Sequence, residues 1–133
     1  MAAKTVLGGV AATALAAGML VSGAPAHADD DRKVRTGDCS RNADYRMVLK
    51  DVDLDDRDRL RTVFVIDGPR ANAVWRVTIK RNGNVVHRGK KRANDRGNVR
   101  FAKTFRGGDD DFVRVVARSG YGERCARGIK LDD

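Results

Sequence analysis

The chain has 133 residues, of which 34% are charged, 41% are hydrophobic and 5% are aromatic, and its formal net charge is +9 at pH 7. A chain of this length and charge suits one domain with a thin apolar core, which excludes a multidomain enzyme. After the N-terminal apolar stretch, no run is long enough to cross a bilayer, so a polytopic membrane protein is also excluded. The sequence therefore tells us about the compartment and the architecture of the protein, and it does not reveal a specific activity.

The N-terminus has the pattern of an export signal. Lys4 precedes an apolar stretch over 6–21, and Ala26-His27-Ala28 matches the small-x-small cleavage pattern. An uncleaved membrane anchor is the alternative, and it is disfavoured because the stretch is short and rich in Ala and Gly. We predict no membrane-spanning segment after cleavage. The predicted parts are a signal peptide over 1–28, a flexible tail over 29–36 and a folded domain over 37–133.

Cys39 and Cys125 are the two cysteines of the chain. Paired thiols are the rule for exported proteins, so we predict one disulfide between them. Closing a loop of about 87 residues stabilises a fold by roughly 4 to 5 kcal/mol in the chain-entropy model. A metal site is the alternative, but two cysteines without a second pair or a nearby histidine cannot complete a tetrahedron.

The rest of the chain has a hydrophobic period of two, which indicates strands. One segment is ambiguous: Tyr45, Met47 and Leu49 alternate as in a strand, whereas Tyr45, Val48, Leu49 and Val52 fit helical spacing. We favour the strand, because a helix would place the aspartates that follow at the negative end of its dipole. The predicted strands are this segment and 34–39, 60–66, 75–80, 85–91, 99–106, 112–118 and 125–131.

Seven or eight short strands in about 100 residues predict an all-β fold, namely an immunoglobulin-like antiparallel β-sandwich. The single Trp75 lies in a strictly alternating strand and is therefore predicted to be a core residue rather than a sugar-stacking one. The turn Asn82-Gly83 predicts a two-residue type I′ hairpin. Continuous pairing from this turn would set Val77 opposite Arg88 on the core side, so we expect an edge strand or a bulge near Gly89.

Several of these elements form a familiar combination: Cys39, the Trp75 strand that leads into Asn82-Gly83, and Gly122-Glu123-Arg124-Cys125. With the export signal, the combination resembles small secreted proteins of high-GC Gram-positive bacteria that have an immunoglobulin-like β-sandwich and one cysteine pair. The resemblance covers most of the predicted mature chain. It implies a fold and a compartment, and it implies no activity. The acidic 51–58 and basic 88–92 stretches are unusual for this pattern.

Positive charge is concentrated in the middle of the chain. Residues 70–106 contain 12 basic residues and 1 acidic residue, whereas 29–69 contains 9 and 11, and 107–133 contains 5 and 6. Such a segment attracts polyanions with salt-sensitive affinity, although it also fits a solvated face that keeps an exported protein soluble. Specific nucleic-acid recognition is disfavoured, because Phe101 and Phe105 alternate into the core and leave no stacking platform. The candidate anion-binding residues are Arg76, Lys80, Arg81, Arg88, Lys90, Lys91 and Arg92.

Two acidic stretches raise the question of calcium. Asp51, Asp53 and Asp55 imitate the start of a calcium loop, but Asp56 stands where the sharp turn needs Gly and Thr62 stands where a bidentate Glu belongs. An EF-hand is therefore excluded. A looser calcium site at this stretch or at 109–111 stays open, and a solvated, self-neutralised loop is the favoured alternative.

Catalysis has few candidate residues. His87 is the single histidine after residue 28, and Ser40 and Ser119 are the serines there. Ser40 adjoins a cysteine and Ser119 lies in a predicted turn, so a serine-type arrangement is disfavoured. We predict no catalytic residue, no metal and no cofactor. Convergence of Asp55, His87 and Asp109 in a deep pocket would reopen the question of an enzyme.

The sequence therefore predicts a non-catalytic extracellular binding module, in possible association with the cell envelope. In this interpretation the basic hairpin engages an anionic envelope polymer or surface. The alternative is a protein-interaction or inhibitor domain that docks on an extracellular protein through the loop at 67–73 or at 107–111. Salt separates the two hypotheses, because screening weakens the first and barely changes the second.

Overall fold

A computed structural model describes residues 32–54 and 57–132, with the backbone alone described at 53 and 54. The predicted signal peptide and residues 29–31 lie outside this description. Within it, all regular structure is β-strand, and no helix that could cross a membrane is found. The strands are β1 (Arg32–Asp38), β2 (Asp44–Leu54), β3 (Arg57–Asp67), β4 (Val74–Arg81), β5 (Asn84–Arg92), β6 (Asn98–Arg106), β7 (Phe112–Ser119) and β8 (Arg124–Lys130).

The eight strands form two antiparallel sheets of four. Sheet I has the order β1-β2-β3-β6, and sheet II has the order β5-β4-β7-β8. The chain crosses between the sheets after β3, after β5 and after β6. Without β1, this is the strand arrangement of an immunoglobulin-like sandwich, so the predicted fold class is confirmed.

The core lies between the sheets and follows from the alternation of apolar and polar side chains. Trp75, Phe64 and Met47 are fully buried, and the ring of Tyr45 stacks on Phe64 with centroids 5.4 Å apart. Trp75 also meets Tyr121 edge to face at 6.0 Å. The predicted core position of Trp75 is therefore confirmed.

The predicted β4–β5 hairpin is present, and its register departs from continuous pairing. Asn82 and Gly83 have φ of 51° and 87°, as a type I′ turn requires. A bulge then interrupts the ladder, because Lys80 pairs with Val85 whereas the preceding residue of β4 pairs with His87. The expected edge strand is confirmed, because β5 lies at the edge of sheet II. A bulge is present as well, and it lies next to the turn rather than near Gly89. Its effect is to turn Arg88 to the solvent side.

The N-terminal boundary of the sandwich is earlier than predicted. The strand predicted at 34–39 is present as β1, but it begins at Arg32, within the segment 29–36 that we also assigned to a flexible tail, and it pairs with β2 along the edge of sheet I. Gly37 makes this pairing possible, since a Cβ there would lie 2.5 Å from the hydroxyl of Tyr45. The strand forms because its backbone pairs with the edge of β2 that no other strand occupies.

A corner of the sandwich joins the two sheets. The predicted Cys39–Cys125 disulfide is confirmed, and it links the β1–β2 turn to β8 across a Cα–Cα distance of 4.4 Å. Beside it the buried carboxylate of Glu123 accepts the backbone N–H groups of Arg41, Asn42 and Ala43 at 2.5, 3.2 and 3.3 Å. Those donors satisfy a buried acid that is only 1% exposed, which accounts for the glutamate in the Gly-Glu-x-Cys motif.

Candidate functional site

The solvent side of sheet II carries a set of cations that we call the basic face. Residues that pair across antiparallel strands point to the same side, so the register of β5, β4, β7 and β8 identifies sixteen outward positions. Nine of them are basic and none is acidic, and eight of the nine are exposed. The basic residues of the face are Arg76, Lys80, Arg88, Lys90, Arg92, Arg114, Arg118, Arg124 and Lys130.

Four of these cations form a row across the whole sheet. Lys90 pairs with Arg76, Arg76 with Arg118, and Arg118 with Arg124, so that each strand contributes one cation. Neighbouring strands lie about 4.8 Å apart, which makes the row about 14 Å long. Like charges directly opposite each other destabilise a sheet. The row is therefore an arrangement that strand pairing does not favour.

A second row lies nearer the β4–β5 turn and has apolar ends. Lys80 pairs with Val85 on one side and with Arg114 on the other, and Arg114 pairs with Gly128. The ring of Phe112 covers Gly128, where an added Cβ would clash with the ring. Val85 and Phe112 are 41% and 43% exposed. Two cations thus lie between two exposed apolar side chains.

A shallow groove of about 390 Å³ lies between β4 and β5 on this face. Its walls include the cations Arg76, Arg88 and Lys90, together with the hydroxyl-bearing Thr78. Three cations and a hydroxyl without an acidic neighbour are a donor set for phosphate, sulfate or carboxylate oxygens.

Few of the cations on the basic face are neutralised inside the molecule. Lys130 lies 3.8 Å from the carboxylate of Asp132. For the other eight, the described part of the chain offers no carboxylate within ion-pairing distance. Arg92 donates to the backbone carbonyl of Asn72 at 3.2 Å, which fixes its position but leaves its charge uncompensated.

Five of the seven predicted anion-binding residues lie on the basic face, and Arg81 and Lys91 do not. Arg81 lies 3.9 Å from the carboxylate of Asp111 and also donates to the carbonyl of Arg106. Lys91 pairs with the buried Trp75, and its ammonium donates to the carbonyl of Arg100 at 2.8 Å, which joins the edges of the two sheets. Both cations are held by internal contacts.

The sequence segment 70–106 did not include four members of the face. Arg114 and Arg118 belong to β7, and Arg124 and Lys130 belong to β8. The alternation of β7 and β8 could have placed these side chains opposite the buried ones. Their position on the same face as β4 comes from the pairing of β4 with β7 and of β7 with β8, and the first of these is a long-range pairing that no local pattern reveals.

The loop at 107–111 is held by charge and hydrogen bonds. Asp111 accepts the backbone N–H of Gly108 at 2.9 Å and the side-chain amide of Asn82 at 2.7 Å. Burial acts to raise the pKa of Asp111, but the Gly108 N–H, the Asn82 amide and the Arg81 guanidinium outweigh it and hold the pKa below its usual range. This carboxylate is thus an ionised anchor between the loop and the hairpin.

The residues considered for catalysis have structural partners. Ser40 accepts the backbone N–H of Arg124, and Ser119 accepts that of Glu123, each at 2.9 Å. Burial, followed by the charge of Lys103, lowers the pKa of His87 and keeps the ring neutral near pH 7.

For calcium, the described side chains include no group of three or more His, Cys, Asp or Glu residues that could hold a metal. The side chains of 53, 55 and 56, which belong to the calcium hypothesis, lie outside the description. The loose site at 51–58 therefore stays a prediction.

Comparisons with family models, curated proteins and solved structures find no match for this chain. The resemblance to small secreted bacterial proteins accordingly stays a prediction. Arguments about function depend on the geometry and the charge of the basic face.

Proposed function

We propose that this protein is a non-catalytic binding module that acts outside the cell and engages an anionic polymer or surface of the cell envelope through its basic face. The row Lys90, Arg76, Arg118 and Arg124 carries the proposal. A surface that serves solubility alone intersperses the two signs of charge. Four aligned cations without an acidic neighbour are destabilising in the free protein and favourable once an anion lies on them.

The shape of the basic face suits an extended partner. The four strands span about 14 Å across, and each outward residue lies about 6.8 Å from the next along a strand. Several anionic groups can therefore contact the face at once, and each contact releases counterions. Affinity should be high at low salt and should fall steeply as salt increases.

An extracellular location is compatible with the disulfide. Disulfides persist in oxidising compartments and are rare where thiols are kept reduced. The Cys39–Cys125 bond supports this location together with the export pattern of the N-terminus. Anionic polymers and lipid surfaces of the envelope are the polyanions that an exported protein meets.

Retention of the purified protein on heparin resin tests the proposal. The variant Arg76→Gln/Arg118→Gln removes two cations from the centre of the row, and Arg46→Gln/Lys50→Gln removes two exposed cations from the outer side of sheet I. We expect the first variant to elute at lower salt, with a slope of log K against log salt reduced by roughly 0.7 to 0.9 per cation. The control should elute close to the parent, although it has the same net charge as the first variant.

Two results would contradict the proposal. Equal shifts for both variants would show that net charge alone governs retention. Failure of the parent protein to bind at about 0.1 M salt, where the screening length is about 10 Å, would show that the basic face is a solubilising surface.

A second candidate function follows from the end of the sandwich that contains the Asn82-Gly83 turn. A cleft of about 540 Å³ there is lined by residues of both charges, including Arg57, Asp58, Arg106 and Asp110. The 107–111 loop forms one wall and is fixed by the Asp111 contacts described above. A rigid loop beside a mixed-charge cleft favours docking on another protein. Recovery of a stoichiometric protein partner from culture medium at high salt would support this role.

A further inference from the structure

We infer that the anionic partner of the basic face is a lipid bilayer, with Val85 and Phe112 entering its interface. This inference rests on the proposed function and adds the identity of the partner. Among the described side chains, Val85 and Phe112 are the two exposed large hydrophobic residues. Both lie on the outer side of sheet II, and both lie at its end nearest the Asn82-Gly83 turn. Single exposed hydrophobic residues are ordinary, but their shared position among cations is informative.

The second row shows how the two chemistries are combined. Across the sheet it runs from Val85 to Lys80, then to Arg114, and ends at the ring of Phe112 over Gly128. Cations near an anionic bilayer meet the phosphate oxygens of headgroups, while apolar side chains enter the boundary between headgroups and acyl chains. Val85 and Phe112 flank the two cations and can enter this boundary while the cations stay at headgroup level.

The backbone holds Phe112 in a defined position. Its N–H donates to the side-chain oxygen of Asn82 at 2.9 Å, and its carbonyl accepts the N–H of Asn82 at 2.8 Å. The ring rests on Gly128, so it does not need to be ordered when it enters a membrane. Pre-positioned side chains lose little entropy on binding, which favours this arrangement as an anchor.

A bilayer fits the face better than a linear polymer does. The outward positions extend over all four strands, with cations on every strand. A single linear polymer would follow one row and leave the others unused, whereas a membrane contacts a flat face everywhere. Val85 has no flat ring on which a sugar or a base could stack, so binding of a polymer would not explain why this side chain is exposed.

Vesicle sedimentation tests the inference with vesicles of 70% phosphatidylcholine and 30% phosphatidylglycerol, with pure phosphatidylcholine as the neutral comparison. The variant Val85→Ser/Phe112→Ser should lower partitioning into the anionic vesicles by about tenfold or more, because it removes the apolar side-chain area that the bilayer interface would bury. Its elution from heparin resin should match the parent, since every cation is kept. The control Val34→Ser, on the outer side of sheet I, should not change partitioning.

Fluorescence of Phe112→Trp gives a second readout that does not depend on removing a side chain. Its emission should move to shorter wavelength when anionic vesicles are added, and it should not move with inorganic polyphosphate. Unchanged partitioning of the double serine variant, no emission shift, or a parallel loss of heparin retention would overturn the lipid inference. In each of these cases the proposed function would still stand if the parent protein is retained on heparin. If the parent protein binds neither vesicles nor heparin, the proposed function and the lipid inference are both contradicted.

Discussion

The two outer faces of this sandwich are built from the same number of strands and differ in how charge is arranged on them. On sheet I, Asp38, Asp44 and Asp67 lie opposite one another at one end, and cations occupy other rows. On sheet II, the described outward positions include no acidic residue. Strand pairing does not require a face of one sign, because sheet I forms with both. The uniform sign of the basic face therefore needs another explanation, and ligand binding supplies one.

Both faces contain rows of like charges. On sheet I, Lys50 pairs with Arg32 and with Arg61, and three aspartates form a row of the opposite sign. The repulsion within the aspartate row can be relieved by taking up a proton. A hydrogen bond with Asp38, burial, and the charges of Asp38 and Asp67 raise the pKa of Asp44. Arginine side chains do not lose their proton in proteins, so the three adjacent arginines of the row on sheet II, Arg76, Arg118 and Arg124, are relieved by an external anion rather than by loss of a proton.

The largest expected effect comes from separating the faces at their covalent link. Because the disulfide ties the β1–β2 turn of sheet I to β8 of sheet II, Cys39→Ser/Cys125→Ser should lower the free energy of unfolding by roughly 4 to 5 kcal/mol. Urea unfolding followed by the fluorescence of the buried Trp75 measures it. A loss below about 1 kcal/mol would show that noncovalent contacts at the Glu123 corner already hold the two sheets together.

A smaller effect of opposite sign is expected inside the cation row. Arg118→Gln removes a charge that lies opposite Arg76 and Arg124, so it should raise the free energy of unfolding by about 0.5 to 1 kcal/mol at low salt. The gain should vanish near 1 M salt because the repulsion is screened. The matched control is Arg46→Gln on sheet I, where the paired residues Thr36 and Val65 are uncharged. Equal stabilisation of both variants would remove the distinction between the faces.

The smallest effect is expected from the aspartate row. A carboxyl whose pKa is raised by folding weakens the fold at neutral pH, and this penalty disappears as pH falls below the unfolded value. Asp44→Asn should therefore raise the thermal midpoint slightly at pH 7 and leave it unchanged near pH 3. Asp111→Asn is the opposite case, since the pKa of Asp111 is lowered, and it should destabilise at pH 7 with a loss that fades in acid. The same pH trend for both variants would contradict these assignments.

Most of the fold was accessible from the sequence because its signals are local. Period-two alternation identified the strands, Asn82-Gly83 identified the hairpin, and the two cysteines had a single possible pairing. The bulge beside Lys80 was displaced from its expected position because one inserted residue reverses the facing of a strand without changing its composition. Strand β1 begins at Arg32, two residues before its predicted start at 34, because an edge strand is defined by its partner.

The candidate site could be predicted only in part, because its membership depends on strand pairing as well as on local sequence. Arg76, Lys80, Arg88, Lys90 and Arg92 share a stretch of chain, so composition identified them. Arg118 and Arg124 join them only through the pairing of β4 with β7 and of β7 with β8. Arg81 and Lys91 have the right charge and the right segment, but their contacts with Asp111 and with the Arg100 carbonyl occupy them. Facing and pairing, rather than charge density, determine membership of the face.

The most direct test of the central claim is to map anion binding onto the two outer faces by NMR. Inorganic polyphosphate added to isotope-labelled protein at low salt should shift the backbone amides of β4, β5, β7 and β8, with the largest shifts around Arg76 and Arg118. Amides of β1, β2 and β3 should stay close to their starting positions. Shifts of similar size on both sheets, or shifts confined to sheet I or to the 107–111 loop, would contradict the assignment of anion binding to the basic face.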